Sequence, residues 1–177
     1  MSQFTDRMIH AAKLDPKLYE EIEKDEKAMG QAMGVVMLSS LAAGIGSIQN
    51  AGISAIFIGT LTALISWYIW AYLTYWIGTK LLPEPETKSN PKELLRTIGF
   101  SSAPGMIRIV GIIPGLTWIT ILIGGIWMLV AMVVAVKQAL DYSSTFRAVG
   151  VCLIGWVIQL GIMVLLFSLF GTSKPSM

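Results

Sequence analysis

The chain has 177 residues, of which 54% are hydrophobic and 14% are charged, and its formal net charge is +2. Soluble domains carry about 25% charged residues, and here the deficit is concentrated, because residues 28–79 contain no charged side chain. Such a run excludes a soluble fold and predicts an integral membrane protein with one small bundle. The small net charge gives no reason to expect a nucleic-acid partner, and the single cysteine, Cys152, provides no disulfide or metal pair.

Residues 1–27 carry most of the acidic side chains and predict two short cytoplasmic helices. The first is amphipathic enough to lie in the headgroup layer of a membrane. Asp15 and Pro16 are typical of the N-cap and the first position of the second helix. That helix is either a solvated lead to the first membrane segment or a surface that binds a partner. The apolar residues at helical spacing are Phe4, Met8, Ile9 and Ala12 in the first helix, and Leu18, Tyr19 and Ile22 in the second.

Five long apolar segments follow, and they predict an all-α integral membrane protein built as a five-helix transmembrane bundle. The bundle occupies residues 28–170, and a short polar tail covers residues 171–177. The predicted segments are 28–48, 53–78, 92–113, 118–140 and 146–170.

The third of these segments is predicted to be a broken helix. Asn90, Pro91 and Glu93 are typical of the N-cap, N1 and N3 positions at a helix start. Pro104 and Gly105 then interrupt the apolar run, because proline lacks a backbone donor and clashes with the preceding turn. Carbonyl groups freed at membrane depth must be satisfied by neighbouring helices or water. We therefore expect the other four helices to pack around this one.

Small residues recur where helices are expected to approach closely. Gly30 and Gly34 form a G-x-x-x-G pattern in the first segment, which favours either packing within the chain or dimerisation. The candidate packing glycines of the whole chain are Gly30, Gly34, Gly99, Gly105, Gly124 and Gly125.

The distribution of Lys and Arg predicts the orientation of the bundle. If all five segments cross the membrane, eleven of the thirteen Lys and Arg residues fall on the side of the N-terminus, and only Arg108 and Lys174 do not. Cytoplasmic loops carry the excess of positive charge. We therefore expect a cytoplasmic N-terminus and an external C-terminus, an N-in/C-out arrangement.

The residue pattern gives no indication of catalysis. His10 is the only histidine and lies outside the apolar segments, and the chain has no nucleophile–base pair and no phosphate loop. Glu93 and Asp141 are expected near the cytoplasmic surface, so no carboxylate is deep enough for a proton relay. We therefore expect a protein that is not an enzyme and that uses no metal or other cofactor.

Arg108 is the one charged residue expected within the membrane, in its outer half. A long arginine side chain can extend toward the surface and reach the outer phosphates. Alternatively, an intramembrane charge marks a functional site. The second interpretation predicts a site for an anionic lipid headgroup or a partner. Its candidate residues are Ser101, Ser102, Pro104, Arg108 and Gln159.

Two stretches resemble the Yip1 domain family. Residues 99–104, Gly-Phe-Ser-Ser-Ala-Pro, resemble the Gly-aromatic-x-x-x-Pro pattern of that family's third span. Residues 139–148, Ala-Leu-Asp-Tyr-Ser-Ser-Thr-Phe-Arg-Ala, resemble the junction between its fourth and fifth spans. The resemblance covers about residues 28–170 and implies five spans, with the N-terminal segment inside the cell.

The eukaryotic branch of that family is associated with Rab GTPases and carries Asp-Leu-Tyr-Gly-Pro before its first span. Residues 16–21 of this chain read Pro-Lys-Leu-Tyr-Glu-Glu, so the chain is more similar to the prokaryotic members. The resemblance therefore implies a place in a prokaryotic cytoplasmic (inner) membrane, but it supplies no function.

Two functions from different classes stay open. The first is a non-enzymatic scaffold or adaptor, such as an accessory subunit of a larger membrane complex, with a protein partner in a hetero-complex or homo-oligomer. The second is lipid handling or small-solute transport at the Pro104-Gly105 break and Arg108. A polar cleft that reaches Pro104 favours the second function, and a dry, close-packed bundle favours the first. Both functions bring the protein into contact with membrane lipids.

Overall fold

The computed structural model describes residues 3–170, and within them it contains eight α-helices, a π-helical extension, a 3-10 helix and no strand. The polar tail and Lys174 lie outside the described residues. A π-helical extension, Ile77–Leu81, continues the fifth helix, and the 3-10 segment, Ala103–Ile112, follows the sixth. The helices are α1 (Gln3–Ala12), α2 (Pro16–Lys24), α3 (Ala28–Gly46), α4 (Ile48–Ala51), α5 (Ser54–Trp76), α6 (Pro91–Phe100), α7 (Thr117–Ala139) and α8 (Thr145–Phe170).

Four stretches of helix are long and apolar enough to cross a membrane: Ala28–Gly46, Ile56–Leu81, Thr117–Ala139 and Thr145–Ile162. The other predicted segment, 92–113, is divided into α6 and the 3-10 segment, which have ten residues each and are too short to span alone. At 1.5 and 2.0 Å per residue, the two pieces together cover about 35 Å, against about 30 Å of hydrocarbon in a bilayer.

The limits of α6 follow from local chemistry. The Asn90 side chain accepts hydrogen bonds from the backbone N–H groups of Lys92 and Glu93, and the Glu93 carboxylate accepts one from the Asn90 N–H. This is the capping box that the sequence predicted. The helix ends at Phe100, four residues before Pro104, because in an α-helix that carbonyl would press against the proline ring. The break therefore begins earlier than Pro104, and the chain continues as a 3-10 helix.

The 3-10 segment lies between α3 and α7, and glycines permit this close approach. A Cβ atom on Gly46 of α3 would collide with the carbonyl oxygen of Arg108, and one on Gly111 would lie 2.8 Å from a threonine hydroxyl of α7. At the other end, a Cβ atom on Gly99 would lie 2.8 Å from the Cβ of Ala32. α6 and the 3-10 segment, which we call the third pass for brevity because they correspond to the third predicted segment, therefore run beside α3, in the same direction, along most of its length.

α2 docks into the bundle and does not lie in solvent. Its apolar stripe of Leu18, Tyr19 and Ile22 is buried against α6 and α7. Arg96 of α6, only 4% exposed, donates from Nε to the Ile22 carbonyl oxygen at 3.0 Å and from Nη2 to the Glu23 carbonyl oxygen. The last carbonyls of a helix have no partner within the helix, and a cation there also interacts favourably with the helix dipole. The solvated helix, one of the two interpretations above, is therefore wrong for this face.

A second cation joins the N-terminal helices to each other and to α3. The buried Arg7 guanidinium donates to the carboxylates of Glu21 and Asp25 at 2.6 and 2.7 Å, and to the side-chain oxygen of Gln31 at 2.9 Å. Because these bonds connect three helices, α1, α2 and the start of α3 form one packed unit at this end of the bundle.

The start of α8 is fixed by the loop that follows α5. The Glu84 carboxylate accepts hydrogen bonds from N and Oγ of Ser143 at 2.9 and 2.6 Å, and lies 3.5 Å from Nε of Arg147. The hydrogen bond from the Ser143 side chain is the main cause that lowers the pKa of Glu84. The Tyr142 hydroxyl lies 2.9 and 2.7 Å from two backbone carbonyl oxygens at the end of the π-helical extension. These contacts join the turn before α8 and the first turn of α8 to the segment that follows α5.

Replacement of Arg96 tests how α2 is held. Arg96→Met keeps an unbranched side chain but leaves the carbonyls of Ile22 and Glu23 without their donor. A buried unsatisfied polar group costs about 1–3 kcal/mol, so we expect the free energy of unfolding to fall by about 2–4 kcal/mol. The measurement is unfolding in mixed micelles of dodecyl maltoside and SDS, with Lys92→Met, an exposed position on the same helix, as the control. Equal free energies for the two variants would contradict the capping role.

Glu23 makes the docking of α2 depend on pH. Its side chain is 7% exposed, and burial, followed by the negative charges of Asp141 and Glu93, raises its pKa from 4.5 to about 7. The folded state thus holds this proton more tightly than the unfolded chain does. Stability is therefore lost as pH rises from about 4.5 to about 7, and no more is lost above that.

We expect Glu23→Gln to raise the free energy of unfolding at pH 8 by on the order of 2 kcal/mol, and to have little effect at pH 4.5. The measurement is the pH dependence of unfolding in the same micelles. Glu20→Gln, an exposed position on α2, is the control and should follow the wild-type curve. A Glu23→Gln curve parallel to the wild-type curve would show that Glu23 is not the titrating group.

Candidate functional site: a polar groove at membrane depth

A groove with a cavity volume of about 840 Å³ lies among α3, α5, the two pieces of the third pass, α7 and α8. It is open on the side between α5 and α8, where Gly59 and Leu160 line it and are themselves exposed. Most of its wall is apolar, and three indole rings contribute to it, those of Trp67, Trp70 and Trp156. Its polar lining consists of Ser39, Ser40, Ser47, Ser66, Ser101, Ser102, Arg108 and Gln159.

The Arg108 side chain points toward the middle of the bundle. Its Nε donates to the carbonyl oxygen of Gly105 at 2.9 Å, and its Nη2 donates to Oγ of Ser39 at 2.9 Å. Ser39 is the twelfth of the nineteen residues of α3, so the guanidinium lies near half the length of that helix. The side chain therefore does not extend toward the outer phosphates, which was one of the two interpretations of this residue.

Contacts with its own segment and with α7 fix the Arg108 side chain in this position. In an α-helix, the Gly105 carbonyl would accept a hydrogen bond from a backbone N–H four residues later. Here it accepts one from the Arg108 side chain, which bends back along its own segment. Gly124 of α7 leaves room for the stem, since a Cβ atom there would lie 3.0 Å from Cγ of Arg108. Backbone and side chain thus fix the cation at one place.

The positive charge of Arg108 is not neutralised by any of residues 3–170. No carboxylate in that range forms an ion pair with it, and no described group accepts a hydrogen bond from its Nη1. The neighbouring hydroxyl of Ser39 is a neutral acceptor. A guanidinium has five donors in a planar fork that suits carboxylates and phosphates. The groove therefore presents an unpaired donor pair and a full charge at membrane depth.

The other predicted site residues fall into two groups. Ser101, Ser102 and Gln159 line the groove together with Arg108, although they come from opposite sides of the bundle. Ser101 donates to the carbonyl oxygen of Ile98 at 2.7 Å, which satisfies a carbonyl freed at the break. Pro104 is buried behind the groove and shapes the segment, but it is not part of the lining.

The predicted packing glycines differ in what surrounds them. Gly105 and Gly124 lie against the Arg108 side chain, and Gly99 lies against α3. A Cβ atom on Gly34 would lie 3.6 Å from the ring of Phe4 of α1, so part of the G-x-x-x-G pattern packs within the chain. A Cβ atom on Gly30 or on Gly125 would meet nothing within 4 Å, and Gly125 lines the groove.

The sequence-based interpretation missed Ser39 and the indoles as site residues. Ser39 is 2% exposed and holds Arg108 in place. Trp67 donates from Nε1 to the Leu95 carbonyl oxygen at 2.9 Å, and Trp70 donates to Sδ of Met132 at 2.9 Å. The only sequence signal for these roles was a hydroxyl and two aromatic residues in charge-free segments, which packing alone also explains. Within residues 3–170, no three His, Cys, Asp or Glu side chains are placed to hold a metal ion.

A comparison with protein-family models matches residues 16–167 to the Yip1 domain family. No curated protein and no solved structure matches the chain. The match extends from the first turn of α2 almost to the end of α8, and so includes the four apolar helices and the divided third pass. The family expected from residues 99–104 and 139–148 is thereby confirmed: the chain is an integral membrane protein whose helices contact lipid, and it belongs to the Yip1 domain family.

Proposed function

We propose that this protein is not an enzyme and that it binds a lipid with an anionic headgroup in the groove, with Arg108 as the residue that binds the anion. The observation that carries this proposal is the unpaired guanidinium beside an open cavity at membrane depth. A groove with polar groups beside the Pro104 segment supports lipid handling over a close-packed scaffold.

The energy of the charge supports an anionic ligand. An arginine at the centre of a transmembrane helix costs about 2.5–3.5 kcal/mol on insertion scales. Two neutral acceptors, the Gly105 carbonyl and the Ser39 hydroxyl, offset part of this cost. A phosphate that accepts from Nη1 would form a charge-assisted hydrogen bond, which is about twice as strong as a neutral one. The headgroup would thus replace the missing carboxylate.

The shape of the groove supports a lipid over a small polar solute. Its volume of about 840 Å³ is in the range of sites for molecules of drug size, about 300–1,000 Å³. It has polar groups at one place and apolar walls elsewhere, and it opens sideways between two helices with lipid-exposed faces. A headgroup fits inside, while the chains leave through the opening into the bilayer.

The proposal includes five passes with a cytoplasmic N-terminus, in a prokaryotic cytoplasmic membrane. It is supported by the arrangement of the cationic segments. Arg96 contacts α2, and Arg147 contacts the loop after α5, so the N-terminal helices and two loops meet at one end of the bundle. Positive charge gathered at one end is typical of the cytoplasmic side.

A scaffold or adaptor role, as an accessory subunit or in a homo-oligomer, is the second candidate. The observation that favours it is the apolar face of α5, where Phe57, Ile58 and Leu61 are more than half exposed and Tyr68 and Tyr72 stack at 4.9 Å. Lipid covers such a face equally well. Extraction from native membrane followed by native mass spectrometry separates the two functions, because a stoichiometric protein partner would favour the scaffold.

Loss of the Arg108 charge tests the proposed function. We expect wild-type protein to retain an anionic phospholipid in native mass spectra. Arg108→Gln should lower the retained amount by at least about tenfold, which corresponds to about 1.4 kcal/mol of binding free energy. Arg108→Lys keeps the charge without the planar fork and should retain an intermediate amount. Lys92→Gln removes a cation outside the groove and is the control. Equal retention by Arg108→Gln and Lys92→Gln would overturn the assignment.

Occlusion of the groove tests the cavity without a change in charge. Gly125→Leu places a side chain into open space within the groove, and Gly161→Leu places one into open space on α8 outside it. Both variants add the same volume to a helix. We expect Gly125→Leu to lose the retained lipid and Gly161→Leu to keep it, as measured by native mass spectrometry. Retention by both variants would place the lipid elsewhere on the protein.

A further inference from the structure

The groove does not cross the whole membrane. Along α3 its lining runs from Val36 to Ser47, a separation of eleven residue steps, or about 17 Å at 1.5 Å per residue. The hydrocarbon core of a bilayer is about 30 Å thick. Ser47 directly follows the last residue of α3, the end far from α1 and α2. Along α3 the groove therefore occupies the half that lies away from α2, and it extends toward α2 no further than Ile98 of α6 and Met132 of α7.

Two indole rings close the groove on the side of the N-terminal helices, and we call them the tryptophan floor (Trp67 and Trp70). The Trp67 Nε1 atom is bonded to α6 through the Leu95 carbonyl, and the Trp70 Nε1 atom is bonded to α7 through Met132. Trp70 also reaches α8, since a Cβ atom on Gly155 would lie 3.0 Å from its ring. Trp70 is only 9% exposed, so its ring fills the gap between α5, α7 and α8.

Below the tryptophan floor the bundle is packed with apolar side chains. Ile77, Leu94, Val136 and Leu140 are fully buried there and belong to one cluster with Trp70. A cluster of that kind has no room and no polar groups for a headgroup. A lipid that reaches Arg108 from the far side thus has no continuation toward the side of the N-terminal helices.

On the basis of the proposed function, we propose that the groove takes its anionic lipid only from the leaflet opposite the N-terminal helices. We further propose that the protein holds this lipid and does not pass it to the other leaflet. The ligand class is a phospholipid with a net negative headgroup, because the described lining offers one cation and no carboxylate for a headgroup ammonium.

The test uses the full chain, with an N-terminal affinity tag, in vesicles of phosphatidylcholine and phosphatidylglycerol. A brominated phosphatidylglycerol is exchanged into the outer leaflet alone. Vesicles that show the tag outside are then separated from those that show it inside, and native mass spectrometry reads the retained lipid. We expect the brominated lipid on protein with the tag inside, and at least a tenfold smaller amount on protein with the tag outside.

The same vesicles, with a trace of nitrobenzoxadiazole-labelled phosphatidylglycerol, report transfer between leaflets through reduction by dithionite. The protected fraction is the share of labelled lipid that dithionite does not reduce because it lies in the inner leaflet. We expect wild-type protein to leave this fraction at the value of protein-free vesicles. Retained lipid together with complete reduction would overturn the inference and leave the proposed function standing. If no lipid is retained in either orientation, the proposed function itself fails.

Variants of the tryptophan floor test the barrier directly. Trp70→Ala removes the ring that fills the gap, and Met132→Ala removes its partner with a smaller loss of core volume. We expect either variant, once shown to be folded by its helical spectrum, to reduce the protected fraction by transferring lipid. Trp118→Ala changes an indole that is 82% exposed and outside the groove, and it is the control. Folded variants that transfer no lipid would contradict the inference that the tryptophan floor blocks transfer between the leaflets.

Discussion

The interruption of the third pass is the constraint on which the rest of the structure depends. Pro104 ends α6 at Phe100, and the chain continues as a 3-10 helix that is narrower than an α-helix. The narrower segment fits between α3 and α7 at glycine contacts, and its Gly105 carbonyl accepts a hydrogen bond from the Arg108 side chain, which points inward. The cation is thus held by the segment that follows the break.

The two ends of the bundle differ in how their cations are paired and in how completely the space between the helices is filled. At the end with the N-terminal helices, the two buried cations have acceptors: Arg7 has two carboxylates and an amide, and Arg96 has two carbonyls of α2. Apolar packing fills the space between them. In the other half, the side chains that surround Arg108 leave a cavity. We therefore expect removal of a buried cation to damage folding at the first end, whereas in the other half the proposed function predicts a loss of binding.

Sequence patterns could predict the helices and part of the site. The long helices α3, α5, α7 and α8 begin and end within two residues of a predicted segment, because apolar runs are a local signal, and the Asn90 capping box likewise locates the start of α6. Ser101, Ser102 and Arg108 could be grouped because they share one short stretch. The docking of α2 could not be predicted, since a stripe of three apolar residues suits solvent, membrane or protein equally. The direction of the Arg108 side chain depends on Ser39, 69 residues away in the chain.

The attachment of α8 has a consequence for what the groove can distinguish. Glu84, Ser143 and Tyr142 hold its first turn, and Gly155 touches Trp70, but past that contact the helix stands beside the opening. Arg108, by contrast, is held by α3 and by its own backbone. If the groove binds a lipid as proposed, the wall with more contacts carries the charge and the wall at the opening meets the acyl chains, so we expect the protein to discriminate among headgroups and to accept chains of many lengths.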